Sequence, residues 1–410
     1  MTSRPLHAVL LPAQAAGGRL LDLLAAALDG SGPAILPLDP SLPRARLDEL
    51  IQAFAPTAIQ TEHDRHVLAP AGDGSCGSAG HGGSGGSAGP GVGDEIAVVL
   101  ATSGSTGLPK GAELSGDALL ASARASLARL GSTGGERWLC CLPTHHVSGL
   151  GVLVRSLVSG TEPVIADRPD RGVFAGNVDY VSLVPTQLRR LLDAGVPLAS
   201  FRAILLGGAA IPAGLVAEAA AAGATVVTSY GMTETCGGCV YDGVPLDGVR
   251  VASGSDGRIR ISGPVLFSGY RLAPDLTRAA LEDGWFVTSD LGGTGEDGRL
   301  TVRGRADDVI ISGGEKIVAG EVEHVLRGCP GVRDAVVVGT PDPDWGERVT
   351  AVVVAVDPAS PPSLDELRAF VRERLPRYAA PRGLLVVGEL PMLTSGKADR
   401  QRLRRLAAGS

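Results

Sequence analysis

Lysine is nearly missing from this chain. Only Lys110, Lys316 and Lys397 stand among 37 basic residues, and arginine supplies the rest. All three lie in glycine-containing loop segments. Lysine is a compact point charge and arginine a planar fork, so the two do not substitute for each other at a phosphate or carboxylate. The three lysines are therefore candidates for function. Cysteine is sparse as well, six in 410 residues, which excludes a disulfide-stapled scaffold. Cys236-Gly-Gly-Cys239 has redox or zinc spacing. Zinc would need a second pair or suitably spaced histidines, and a redox site a βαβ context. No such zinc partners lie nearby, and both cysteines read as small pocket-wall residues. No apolar, uncharged run reaches the roughly 18 residues of a membrane span. No basic run appears and the net charge is −7, which argues against a nucleic-acid surface. Leu6 to Ala16 is interrupted by Pro12 and preceded by Arg4 alone. It reads as a strand and turn, and a cytoplasmic protein is expected.

The length allows two or more domains, and 44% hydrophobic residues suffice for a sizeable core. Thr102 to Gly111, TSGSTGLPKG, organises the chain. It follows the β-branched run Glu95 to Ala101 and precedes Ser115 to Leu130, where Leu120, Ala123, Leu127 and Leu130 recur at helical spacing. The expected order is strand, loop, helix. Such a loop wraps an anion with backbone N–H groups, the hydroxyls of Thr102, Ser103, Ser105 and Thr106, and the charge of Lys110. It is not a Walker loop, because Pro109 and Gly111 flank the lysine.

Residues 1–70 alternate helical and strand-like pieces. Residues 71–93 are dominated by Gly, Ser and Ala and read as a flexible insertion without chemistry. From 94 to about 270, strands such as Tyr180 to Val184 and Ala203 to Leu206 alternate with helices such as Gly149 to Val158. The fold class read from this is α/β: a large N-terminal domain, 1–303, of layered, doubly wound sheets with a β subdomain. Gly293-Thr-Gly-Glu-Asp-Gly298 matches GxGxxG but precedes a strand, so it reads as a hairpin turn. After Gly304 the texture changes, and 304–410 suffices for a small α+β C-terminal domain.

Taken together, these loops resemble the acyl-adenylate-forming ligases of the acyl-CoA synthetase and luciferase superfamily, over nearly the whole chain. TSGSTGLPKG resembles the phosphate loop, and Tyr230-Gly-Met-Thr-Glu-Thr235 the segment beside adenine and acyl group. Gly284-Trp-Phe-Val-Thr-Ser-Asp290 resembles the ribose segment. Gly304-Arg-Ala-Asp-Asp308 with Ile311-Ser-Gly-Gly-Glu315 resembles the hinge and its following loop, and Pro391 to Lys397 the loop of a catalytic lysine. Five motifs in the family's order make a strong signal. Leu142 to Gly149, Ser182 to Gln187 and Thr233 to Asp242 are similar to o-succinylbenzoate–CoA ligases of menaquinone biosynthesis. Two departures stand out: the 71–93 insertion, and Ala319-Gly320 before Glu321-Val-Glu323, where many relatives carry proline.

The resemblance implies an AMP-forming acid–thiol ligase using ATP, Mg2+ and CoA. Its partners would be small molecules, and a homodimer is compatible with it. It implies that Lys397 bridges carboxylate and α-phosphate, and that Glu234 holds Mg2+. Asp290 and Arg305 would take the ribose; Gly208, Tyr230, Gly231 and Thr233 the nucleotide; Thr102, Ser103, Ser105, Thr106 and Lys110 the pyrophosphate. The small domain would be mobile, with Asp307 as hinge and Gly313 and Gly314 moving in beside CoA. His146, Arg155, Gly208 and Thr235 are the candidates for the acyl substrate. His146 is equally a contact, a gate for the thiol, or a packed residue. Arg155 would pair a second carboxylate, or bridge structure. The alternatives are a CoA ligase for another aryl or short acyl acid, a loader of carrier-protein thiols, a non-catalytic nucleotide-binding relative, and a redox or zinc protein.

Overall fold

The computed structural model describes residues 3–12, 18–70, 87–103, 109–166, 178–212, 214–393 and 397–409, with residues 69, 70, 87, 88 and 103 as backbone only. Two seven-stranded sheets form most of the chain. The first is centred on Leu6–Leu10, which pairs in parallel with Ala34–Pro37 and Ala58–Thr61. The second runs from Val164–Ile165 through Trp138–Cys140, Tyr180–Leu183, Ala203–Gly207 and Val226–Met232 to Gly237–Tyr241 and Val244–Pro245. Its first five strands are parallel. Helices Arg19–Leu28, Gly116–Arg129 and Val147–Ser159 lie in the layer between the sheets. Their apolar faces meet in one core, where Leu24, Leu119, Leu150 and Leu153 pack with Val98 and Trp138. Fully burying such a side chain contributes about 1.5–3 kcal/mol.

An antiparallel third sheet is built on Arg250–Ser253, Arg258–Ser262 and Trp285–Thr294, and the last of these also pairs with Leu300–Arg305. The GxGxxG stretch is the turn of that hairpin, as expected. A fourth sheet combines Glu315–Val318, Val309–Ser312, Gly346–Ala355, Val332–Asp342 and Gly383–Val387. Strand alternation decides its two faces. Ala335, Val337, Ala351 and Val353 face helices Ala319–Arg327 and Leu364–Arg372; Val336, Val338 and Val352 face helix Arg400–Ala408. The α/β layering with a smaller α+β unit is therefore present. Among the described residues no helix is long and apolar enough to cross a membrane.

Two expectations fail. Residues 87–93 are not linker. Ser87–Ala88 pairs in parallel with Ala69–Pro70, and Val92 is buried in an antiparallel bridge with Arg4. The buried Arg271 ties the segment down by donating to the carbonyls of Pro90 and Phe54, both at 2.5 Å. The second failure concerns the organising loop. Strand Ile96–Ser103 is followed not directly by a helix but by strand Pro109–Ser115, antiparallel to it. The helix starts only at Gly116, capped by the Ser115 hydroxyl, which accepts from the Ala118 N–H at 3.1 Å. The segment PKGAELS has no β-branched residue. Its strand conformation comes from pairing on both edges, with Ile96–Ser103 and with Gly269–Tyr270.

Candidate functional site

The site lies where parallel strands end, as the doubly wound rule requires. Leu142, Val184, Gly208 and Gly231 follow or close four neighbouring strands of the second sheet. Gly208 has φ +81, a conformation that favours glycine. Of the phosphate-loop candidates, Thr102 ends strand Ile96–Ser103 and donates its hydroxyl to the Lys110 carbonyl at 3.3 Å. Lys110 sits on the returning strand, its Nζ 5.4 Å from the centre of the Tyr270 ring. Ser105, Thr106 and the Ser103 side chain lie outside the described residues.

A chain of polar contacts runs across the cleft. Tyr230 donates its hydroxyl to Asp290 Oδ2 at 2.8 Å, and Tyr270 donates to Glu234 Oε1 at 2.8 Å. Burial and the adjacent carboxylate push both phenols far up, so each is a fixed donor. Arg305 lies 3.7 Å from Asp290 Oδ1 and 3.7 Å from Asp307 Oδ2. Lys397 enters the same cleft from the far end of the chain. Crowding by protein atoms and the charge of Arg305 push its ammonium down, against the opposing pull of Asp290 and Glu234. Its side chain still reaches solvent, so this is the crowding of an open cleft and water screens part of the effect. Lys397, Glu234, Asp290 and Arg305 are thus one electrostatic cluster although 163 residues separate the first two.

His146 belongs to the same neighbourhood. It precedes helix Val147–Ser159, its ring is 4.5 Å from that of His145, and its Nε2 has no partner among the described residues. Burial first, then the charges of His145 and Lys397, lower its pKa to about 4, with Asp39 opposing. The imidazole is therefore neutral near neutral pH. Its folded value lies below the unfolded value of about 6.5, so the unfolded chain binds more protons between the two. Its stability contribution is complete above about pH 6.5 and is lost as pH falls toward the folded value. A His146→Asn variant is expected to lose less stability than the wild type between those pH values, measured as the shift of the urea midpoint. Equal losses would mean that His146 titrates normally.

Of the acyl candidates, Arg155 and Gly208 line a cavity of about 80 Å³, together with Leu142, Val147, Ser182 and Cys236 among others, whereas His146 stands outside its lining. Arg155 is 8% exposed. Its Nη2 donates to Ser182 Oγ at 3.0 Å, and the guanidinium lies 4.3 Å from the Trp138 ring centre, itself stacked on Tyr180. Among the described residues no carboxylate pairs with it, and its Nε has no hydrogen-bond partner. A buried cation without a counter-ion is costly unless something supplies the negative charge. A Cβ at Gly151 would stand 3.4 Å from Nη1, an ordinary van der Waals contact.

Thr235 does not join this wall. It is fully buried, and its hydroxyl is spent within its own turn, donating to the carbonyls of Met232 and Gly237 and accepting from the Met232 N–H. Its part is to shape the turn that carries Thr233 and Glu234. Gly313 and Gly314 lie at positive φ in the exposed turn between Val309–Ser312 and Glu315–Val318, against Trp345. They line neither the cavity nor the Lys397 cluster. Cys236 lines the cavity and Cys239 is core; burial pushes both thiols up, that of Cys239 to about 12. Among the described residues no three His, Cys, Asp or Glu side chains form a metal cluster. The sequence reading included Ser182 only as the first residue of a resembling segment, and it missed Tyr270 and Trp138 as functional neighbours. Tyr270 is one of only five tyrosines and follows a glycine, a faint signal; Trp138 reads simply as a strand residue.

Residues 23–271 match the profile of AMP-binding enzymes, and residues 321–397 that of their C-terminal domain. The chain is 40% identical over 421 positions to a probable 2-succinylbenzoate–CoA ligase of Mycobacterium tuberculosis, covering 98% of this chain and 99% of that one. It is 37% identical over 344 positions to the 2-succinylbenzoate–CoA ligase of Bacillus velezensis, covering 77% and 70%. Among solved structures, o-succinylbenzoate CoA synthetase from Bacillus subtilis in complex with the acyl-adenylate OSB-AMP superimposes with a TM-score of 0.72 at 28% identity, covering 98% and 88%.

Proposed function

This chain belongs to the AMP-binding enzyme family, and from that premise we propose that it joins o-succinylbenzoate to CoA for menaquinone biosynthesis in the cytoplasm. In the first step a carboxylate oxygen of the acid attacks the α-phosphorus of ATP, the bond to the bridging oxygen breaks, and pyrophosphate leaves. In the second the CoA sulfur attacks the acyl carbonyl, AMP departs, and the thiol proton is released. The first step forces two anions together, so placed positive charge is the required catalyst. Lys397 serves this by standing between the acid carboxylate and the α-phosphate. Thr102, Ser103, Ser105, Thr106 and Lys110 take the pyrophosphate; Asp290 and Arg305 hold the ribose; Gly208, Tyr230, Gly231 and Thr233 bound the nucleotide. The Glu234 carboxylate, a hard oxygen donor, fits Mg2+ and would supply the protein's ligand to it. Bound there, the ion would neutralise phosphate charge.

Arg155 is the observation that carries the choice of acid. Its unpaired guanidinium lines the acyl cavity, which suits a dicarboxylic acid whose second carboxylate is not activated. His146 contacts the acyl group or gates the thiol. Residues 1–303 and 304–410 act as two domains, and the smaller turns at Asp307 between the steps, bringing Gly313 and Gly314 toward CoA. The test is ATP–pyrophosphate exchange with o-succinylbenzoate, benzoate, 4-chlorobenzoate and medium-chain fatty acids. Exchange with o-succinylbenzoate alone, followed by CoA-dependent AMP release, is expected. Exchange only with another acid would discard the substrate, and exchange with none would discard the reaction.

A further inference from the structure

Lys397 reaches the cleft from a short hairpin. Met392 and Ala398 form an antiparallel bridge, the Leu393 N–H donates to the Lys397 carbonyl at 2.7 Å, and the Asp399 N–H to that of Pro391 at 2.8 Å. Asp399 also caps the following helix, Arg400–Ala408, accepting from the Arg402 N–H at 2.9 Å. That helix has a small apolar footprint: only Leu403 and Ala407 are buried against the sheet. Two side chains alone fix its position and rotation poorly, so the polar contacts at its first residue matter.

Those contacts are concentrated on Arg400. Its Nη1 donates to the Val337 carbonyl at 3.0 Å, its Nη2 to the buried Glu323 at 2.5 Å, and its Nε lies 3.1 Å from Asp308 Oδ2. Arg404 adds a longer contact to Asp308, 3.7 Å. On the other side of the proposed hinge, Arg305 pairs through its backbone with Asp290 in the third sheet. Residue 305 is thus held by one body and residue 308 by the other, which leaves Ala306 and Asp307 between them.

We propose that Arg400 is a positioning residue for Lys397: through Asp308 and Glu323 it locks the lysine hairpin to the far side of the hinge, so that hinge rotation and lysine placement become one movement. This rests on the adenylation reading above. The guanidinium suits the task because its planar fork engages three acceptors at once, which an ammonium on a flexible stem does not. Arg400 does not itself face the reacting groups. Lys397 is faced by Arg305, Asp290, Glu234 and His146.

The scarcity of lysine makes the test direct. Amine acylation at a series of pH values, followed by peptide mapping, reads Lys397 beside two internal controls, Lys110 and Lys316. In the wild type the Lys397 midpoint is expected below the ordinary lysine range. In Arg400→Gln and in Asp308→Asn it is expected to rise toward that range while the controls stay put. Pyrophosphate exchange should fall about a hundredfold, the loss typical of a catalytic group displaced by about 1 Å. It should fall in kcat with little change in KM for acid or ATP, and AMP release from supplied acyl-adenylate and CoA should be retained. An unmoved Lys397 midpoint in both variants would overturn the proposal, as would equal loss of both half-reactions. Should Arg400→Gln fail to fold, Asp308→Asn decides. A wild type that exchanges with no acid would overturn the reaction assigned above, while the labelling midpoint would still decide the clamp.

Discussion

Lys397→Ala is expected to slow acyl-adenylate formation by about 10²–10³-fold, the usual loss when one preorganised charge-stabilising donor is removed. The proposed reaction brings a carboxylate to a phosphate, and few cations are placed to offset that repulsion. Lys110 belongs to the phosphate strand and Arg305 is engaged with Asp290 and Asp307. Lys397 is the cation that senses Asp290, Glu234 and Arg305 together, and it makes no salt bridge of its own among the described residues. Removing it should leave the second half-reaction, measured from supplied acyl-adenylate, near the wild-type rate, because the proposed mechanism gives the lysine no part in displacing AMP. Single-turnover pyrophosphate release and AMP release measured side by side check this. Adenylation at the wild-type rate would end the role; equal loss in both steps would make Lys397 a structural residue.

Arg155→Leu has the second large expected effect. Removing one member of a buried, hydrogen-bonded charge pair typically costs 2–5 kcal/mol, and about 1.4 kcal/mol corresponds to tenfold in affinity. KM for o-succinylbenzoate should therefore rise about 30-fold or more, with benzoate analogues, which lack a second carboxylate, unaffected. The sign of the stability change separates this from a structural role. In the ligand-free protein Arg155 is a buried cation with one side-chain hydrogen bond, an aromatic neighbour and no counter-ion among the described residues. Leucine there removes a desolvated charge, and such replacements are often neutral or stabilising. A Tm equal to or above the wild type, together with the selective rise in KM, is the expected pair of results. A fall in Tm with unchanged discrimination between acids would make Arg155 a bridge between Trp138 and Ser182 and nothing more.

How far the sequence could be read follows from the physics of each segment. Strands such as Tyr180–Leu183 and Gly346–Ala355 announce themselves because central strands carry apolar, β-branched runs. Pro109–Ser115 does not, since partners on both edges hold it extended against its own propensity. Residues 87–93 look like linker because their anchors, Arg4 and Arg271, act across distances that no local window contains. Helix Arg400–Ala408 carries four arginines in nine residues, so its apolar stripe is too thin to stand out. At the site, Lys397 was legible through composition and motif order, whereas the Tyr270–Glu234 contact pairs residues 36 apart by fold alone. Thr235 misled because a hydroxyl in a ligand motif can be wholly used by its own turn.

One wall of the acyl cavity is made mostly of backbone. A methyl on Gly207 would come within 2.7 Å of the Ser229 carbonyl, and one on Gly231 within 2.0 Å of the Gly237 carbonyl. On Gly238 it would stand 2.0 Å from the Ser229 hydroxyl. These three positions admit no side chain without a shift of their neighbours, so on that side only Leu205, Ser229 and Cys236 present side chains to the cavity. Under the function proposed above, redesign toward other acids would fall mainly on the opposite wall, where Leu142, Val147, Arg155 and Ser182 present exchangeable groups. In the proposed reaction the glycine-lined half would set where the acid's reacting end lies, and the side-chain half which acid it is.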